Sequence, residues 1–332
     1  MRPLPLTLCV LVGLQAGALA PFVLSSPASA QSPEARAVAF LAREVPRWKA
    51  DNDCYSCHNN GDAARALIVA RGRGHDVGTA LDDTLAWLRQ PVRWNHNKTQ
   101  GGIDDKPLAR VQFAGALRLA VQAHAAPATA LRDAAEIVAA DQHANGSWRL
   151  DTSQSIGSPA TYGTALATWA ARSVIVASGR EDLTDVARKA DQWLRSASVD
   201  NVVDAAAVVL GLEHAADPRA SAKRREALAT LRKGQSSDGG WGPYATVGPE
   251  VFDTALVALA LSQLMTTPSL AQPSYTRESL SEALSRARAF LVAQQLPDGS
   301  WPETTRPTGQ ESYAQRISTA GWALLALLDS GR

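Results

Sequence analysis

The sequence predicts an all-α protein, a closed double layer of about six helical hairpins, and three observations carry that prediction. First, one segment recurs almost letter for letter: QHANGSW at 142–148, QSSDGGW at 235–241 and QLPDGSW at 295–301. Second, each copy follows a stretch of helical periodicity and precedes another, which opens on a Thr-Ala pair at Thr164, Thr254 or Thr319. Third, the second helices at 202–212 and 255–264 are rich in alanine and lack a broad polar face. Such helices must be buried on most sides, as in an inner ring, whereas first helices bearing Arg188, Lys189, Arg286 and Arg288 suit an outer ring facing water.

The first unit places a helix at 37–48, a loop at 49–62 and a second helix at 63–71. The second unit runs from a helix at 84–90 through a long loop with Trp94 and Gly101-Gly102 to a helix at 112–123. In the third, periodicity at 135–140 leads into the first repeat and the helix opened by Thr164. A shortened fourth unit pairs 190–196 with 204–212 across Asp200-Asn201. The fifth and sixth pair 228–232 with 255–264 and 287–293 with the helix from Thr319. Segments 71–78, 125–127 and 267–273, rich in Pro, Gly and Ser, fit the connections. Within the repeats, Gly supplies left-handed backbone, and Trp covers a helix end with its N–H seeking a partner.

The Gln-x-x-x-Gly-x-Trp segments and the Thr-Ala helices after them resemble the repeats of the squalene–hopene cyclase and protein prenyltransferase superfamily. The resemblance covers roughly residues 36–330 and implies an α/α toroid, six hairpins in inner and outer rings. It does not imply the activity, because the segments that carry it are structural. The cyclases protonate substrate with an Asp-x-Asp-Asp motif that is absent here. Asp82-Asp83 and Asp104-Asp105 read as a helix start and a solvated turn, and Asp204 and Asp253 as helix-opening residues. The zinc site of the transferases needs a late cysteine, and this chain has none beyond Cys57. Trp169 and Trp322 fall on inner helices as aromatic lining for a central cavity, where an apolar small molecule is the expected guest.

Basic and acidic side chains number 33 and 32, a formal net charge of +1, without a run of like charges. This offers no field for a nucleic-acid backbone or an anionic membrane. Residues 1–30 read as a secretory signal peptide: Arg2, an apolar stretch from Leu4 to Leu24, and Ala28-Ser29-Ala30 before a cut at Gln31. Pro3, Pro5, Gln15 and Pro21 interrupt it as a membrane span, and no later segment is long and apolar enough for one. Export to the periplasm is the expectation, with residues 31–332 as a single domain.

Removal of the leader takes away Cys9 and leaves two cysteines of the original 3, both in Cys54-Tyr55-Ser56-Cys57-His58. Two thiols at this spacing can add to the vinyl groups of a haem, with the next histidine beneath the iron, as in c-type cytochromes. The resemblance to that family is confined to these five residues. A Cys54–Cys57 disulfide and a half metal site with His58 are the alternatives, the latter weakened by the lack of a second Cys-x-x-Cys. The expectation is one covalent haem c on the first loop, with Cys54 and Cys57 as thioethers and His58 as proximal ligand, serving electron transfer, with a redox partner protein, or haem redox chemistry. The alternative is a non-haem toroid used as a binding scaffold, or a degenerate terpene-cyclase-like protein, with the Cys54–Cys57 disulfide. In a ring of hairpins, first-to-second loops gather at one end. His96 and His143 therefore share the end of His58, while His75, His124, His214 and Met265 lie at the other. His96, in the adjoining hairpin, is the expected sixth ligand.

Overall fold

In the computed structural model, twelve α-helices follow one another through the described residues, 31–97, 106–150, 162–213, 215–266, 275–306 and 309–330. The leader segment 1–30, Gly101-Gly102, Asp104-Asp105, His214 and the 267–273 connection lie outside these residues. From Ser32 onward the chain is one compact unit. Its hairpins are α1 (Pro33–Asn52) with α2 (Ala64–Gly72), α3 (Asp82–Leu88) with α4 (Lys106–Gln122), and α5 (Ala128–Ala139) with α6 (Thr164–Ser178). They continue as α7 (Thr184–Leu194) with α8 (Val202–Gly211), α9 (Pro218–Gly234) with α10 (Val251–Thr266), and α11 (Arg277–Ala293) with α12 (Tyr313–Ser330).

Even-numbered helices touch in sequence from α2 to α12, and α12 returns to α2, so the inner ring closes. Burial follows the composition. In α8 every residue but Asp204 is buried, whereas α7 buries only Ala190 and Leu194. The helices are longer than the periodic stretches suggest because their ends are capped outside those stretches. Ser32 caps α1, accepting from the Ala35 N–H at 3.2 Å, and Asp217 and Thr276 do the same for α9 and α11. As a result α1 runs on to Asn52 and stops at Asp53, whose φ is 49°. The first loop shrinks to 53–57, and His58 opens a π-helical turn, His58–Ala63, that feeds α2.

The repeated segments are joints between neighbouring hairpins. Each Trp donates its indole N–H to the carbonyl ten residues earlier: Trp148 to Val138 at 2.7 Å, Trp241 to Leu231 at 2.6 Å, Trp301 to Leu291 at 2.7 Å. These carbonyls belong to the last turns of α5, α9 and α11, where the regular helical ladder runs out; Val138 O also accepts the Asp141 N–H at 3.1 Å. Each Gln amide bridges its own loop to the next outer helix. Gln142 reaches Gly146 O and Val186 O, Gln235 reaches Gly239 O and Ala283 O, and Gln295 reaches Gly299 O and Pro33 O. The last of these joins α11 to α1 and seals the ring. Glycine is required at the fifth position, since Gly146 has φ +92° and a Cβ there would lie 2.4 Å from Lys189 O. The threonine partner is Thr254 for Trp241 but Thr168, not Thr164, for Trp148. The third copy has no such partner, and Thr319 Oγ1 is buried without a hydrogen bond.

Candidate functional site

The polar centre of the ring is Asp62, in the π-helical turn and 1% exposed. Gly61 lets α4 approach so closely that a Cβ would lie 2.9 Å from Gln112 Cβ, and Gly321 does the same for α12 against the Asp62 carbonyl. Side chains from three hairpins therefore converge on one carboxylate. Its Oδ2 accepts from Gln112 Nε2 at 2.7 Å, Ser318 Oγ at 2.8 Å and Trp322 Nε1 at 3.3 Å. Its Oδ1 lies 3.3 Å from the Tyr162 hydroxyl and 3.7 Å from Arg65 Nη2. Burial, followed by the charge of Asp62, pushes the Tyr162 phenol well above its usual range.

His58 joins this cluster through Ser318, with Nδ1 2.8 Å from Oγ. Ser318 has a single proton and donates it to Asp62, so Nδ1 must be the donor to Ser318. The hydrogen-bond network thereby assigns the tautomer and leaves Nε2 with its lone pair. His58 is half-exposed, yet enough protein surrounds the ring for burial to lower its pKa, against the opposing charge of Asp62.

The loop that holds the two cysteines is well anchored. Tyr55 stacks on Trp87 with ring centroids 4.4 Å apart, and Asn97 grips its backbone on both sides, at 3.0 Å from N–H and 2.6 Å from the carbonyl. Asn60 receives the Ser56 N–H and binds Val45 O and Thr84 Oγ1, tying the turn to α1 and α3. Cys57 is half-buried. Cys54 is buried, and the Trp48 indole N–H lies 3.3 Å from its Sγ. The Cys54–Cys57 disulfide expected as an alternative is absent: both residues are thiols, Cys54 packed under Trp48 and Cys57 at the loop surface. Among the described residues no group of three or more His, Cys, Asp or Glu side chains could hold a metal ion, so the expected half metal site does not assemble.

Asn97 brings the segment of His96 against the cysteine loop, as the topology requires, and His96 itself is exposed at the end of a 3₁₀ turn, Pro91–His96. His143 is exposed in its own tight turn. Asp82 and Asp83 lie in the first turn of α3, and Asp204 opens α8 beside its cap Asn201, as expected of helix starts. Asp253 does something else. It is fully buried and held by Arg306 Nη2 at 2.8 and 2.7 Å, a pairing across 53 residues that sequence spacing does not reveal.

At the other end of the ring, past Asp62, lies a cavity of about 390 Å³. Trp169, Trp322, Leu210, Leu259 and Leu325 supply apolar wall, and Arg65 and Arg118 supply charge. Arg65 and Trp322 face it from beneath Asp62, with the guanidinium 4.0 Å from the indole centroid. No helix among the described residues is long and apolar enough to cross a membrane.

A closed double ring of helical hairpins with a central cavity defines an α/α toroid. Solved structures bear this out at the level of fold. A point variant of the type II terpene cyclase MstE from Scytonema, in complex with its substrate geranylgeranyl dihydroxybenzoate, is 13% identical with a TM-score of 0.56, covering 90% of this chain and 99% of that one. The ent-copalyl diphosphate synthase from Streptomyces platensis is 16% identical with a TM-score of 0.50 over 90% of this chain and 50% of that one. A polysaccharide lyase, 11% identical, reaches 0.52 over 90% and 97%. No family model and no curated protein matches the chain. The fold thus hosts unrelated chemistries, and function must be argued from the site.

Proposed function

We propose that this toroid is a binding body, which holds an apolar small molecule in its central cavity and does not cyclise it. The cavity walled by Trp169, Trp322 and leucines carries the reading. A cyclase also needs an acid able to protonate an alkene. Asp62, the buried carboxylate at the polar centre of the ring, instead accepts from Gln112 and Trp322 N–H groups, which can only donate. Likeness to a cyclase that binds a geranylgeranyl substrate supports an apolar guest without identifying it. The neutral dye Nile red should bind saturably, and Leu259→Trp, which fills the cavity, should abolish binding. Non-saturable binding, or binding indifferent to that substitution, would overturn the reading.

The tautomer of His58 favours a second reading, a covalent haem c at the loop end of the ring. An imidazole whose Nδ1–H is fixed by a hydroxyl and a carboxylate behind it presents Nε2 as a pre-oriented ligand. Cys57 and His58 are accessible there, whereas Cys54 would have to leave Trp48. Haem held by Cys54 and Cys57, with His58 on the iron, would supply one-electron redox chemistry. His96 is the candidate sixth ligand. A redox partner and export with cleavage after Ala30 belong to this reading. Expression in a periplasm with haem-ligation machinery tests it. One haem of added mass, a Soret band and a chain beginning at Gln31 are expected, and a chain without added mass would dismiss it.

A further inference from the structure

We infer that the central cavity holds its guest by an anionic group between Arg65 and Arg118, and that the guest is an apolar monocarboxylic acid. The inference deepens the cavity reading and rests on it. Arg65 is only 5% exposed, yet its Nε and Nη2 have no hydrogen-bond partner. The neighbouring Asp62 does not satisfy it, because 3.7 Å is beyond hydrogen-bond reach and that carboxylate is already engaged by other donors. Arg118 comes from the adjoining inner helix. Its Nη1 makes one long contact to Gln122 at 3.4 Å, and its Nε is buried without a partner.

Both guanidinium groups therefore line one cavity, and each has buried N–H without a protein hydrogen-bond partner. Burial and then the charge of Arg65 push the Arg118 pKa down to about 10, although Glu213 pulls the other way. Buried N–H groups left unbonded, and like charges left close together, are costly to the fold. An anion between them relieves both costs.

The acidic residues of the wall limit what that anion can be. Asp329 pairs with Arg73 at 3.5 Å, and Glu213 stands beside Arg118. A dianionic phosphate would meet their repulsion, whereas a single carboxylate matches the planar forks of the two arginines. The rest of the guest must be apolar to lie along Trp169, Leu210, Leu259 and Leu325.

Isothermal titration of the full mature chain with decanoate and with decanol, its neutral counterpart, separates the head from the tail. Decanoate should bind at least about tenfold tighter than decanol. Arg118→Met should bring decanoate to the level of decanol while leaving decanol unchanged. Arg65→Met should act alike, with a thermal melt confirming that it folds. Equal affinity for the two compounds, or an Arg118→Met variant that keeps the preference, overturns this inference and leaves the cavity reading standing. Binding of neither compound overturns both.

Discussion

Asp62 and Asp253 are both buried carboxylates, and their partners give them opposite characters. Asp62 sits among donors from α4, α12 and Tyr162, two residues before α6, and it fixes the His58 tautomer through Ser318. Nitrogen NMR of the imidazole should show Nδ1–H in the native chain, and Ser318→Ala should release that preference. Asp253 faces Arg306 and Glu250, and burial pushes its pKa up to about 7 despite the attraction of Arg306. The folded state therefore binds more protons at this site than the unfolded state, whose carboxyl keeps its ordinary value of about 3.8. The contribution is full below about pH 4 and falls as pH rises toward 7. His58 has the reverse sign, since a folded-state pKa below 6.5 makes stability fall as pH drops below that value. Urea unfolding of Asp253→Asn from pH 4 to 7 should isolate the first slope: relative to it, the native chain should lose stability with rising pH. The sequence marked His58 but not its hold. Ser318 lies 260 residues away from it, and nothing local announces that three hairpins meet at Asp62.

At the scale of elements, the repeated loops were the most legible feature of the sequence. Each of their recurring letters within this chain answers a local demand: Trp for a carbonyl at the end of the outer helix, Gly for a left-handed turn pressed on the neighbouring helix. The second role of Gln was not legible, because the carbonyls of Val186, Ala283 and Pro33 belong to the next outer helix. Helix lengths were underestimated for a related reason. Outer helices such as α9 continue through charged residues that break no pattern in space but dilute it in sequence. Gly146→Ala should cost at least about 2–3 kcal/mol, combining left-handed strain with a clash against Lys189 O. Gly179→Ala, with φ +65° and open space around it, should cost about 1 kcal/mol by the same denaturation measurement.

The whole molecule closes without a covalent link, and its seam lies between the first hairpin and the last. Across it run Gln295 to Pro33, the Arg288–Glu34 ion pair, Tyr313 to Glu44 at 2.8 Å and Ser318 to His58. The joint at the seam makes the same two amide bonds as the joints elsewhere. Gln295 Oε1 also accepts from Arg36 Nη2, so Gln295→Ala should destabilise by at least as much as Gln142→Ala or Gln235→Ala, about 1–3 kcal/mol each in chemical denaturation. A markedly smaller cost for Gln295→Ala would mean that the ring is sprung open there.

The packing around Asp62 makes the toroid a cup and not a pipe. The buried cluster is its floor, with the cysteine loop and His58 under that floor and the cavity above it. Arg65 and Trp322 belong to both storeys, one side of each turned to the cavity and the other to Asp62. A guest held in the cavity as proposed would touch the same Arg65 and Trp322 that flank the carboxylate orienting His58.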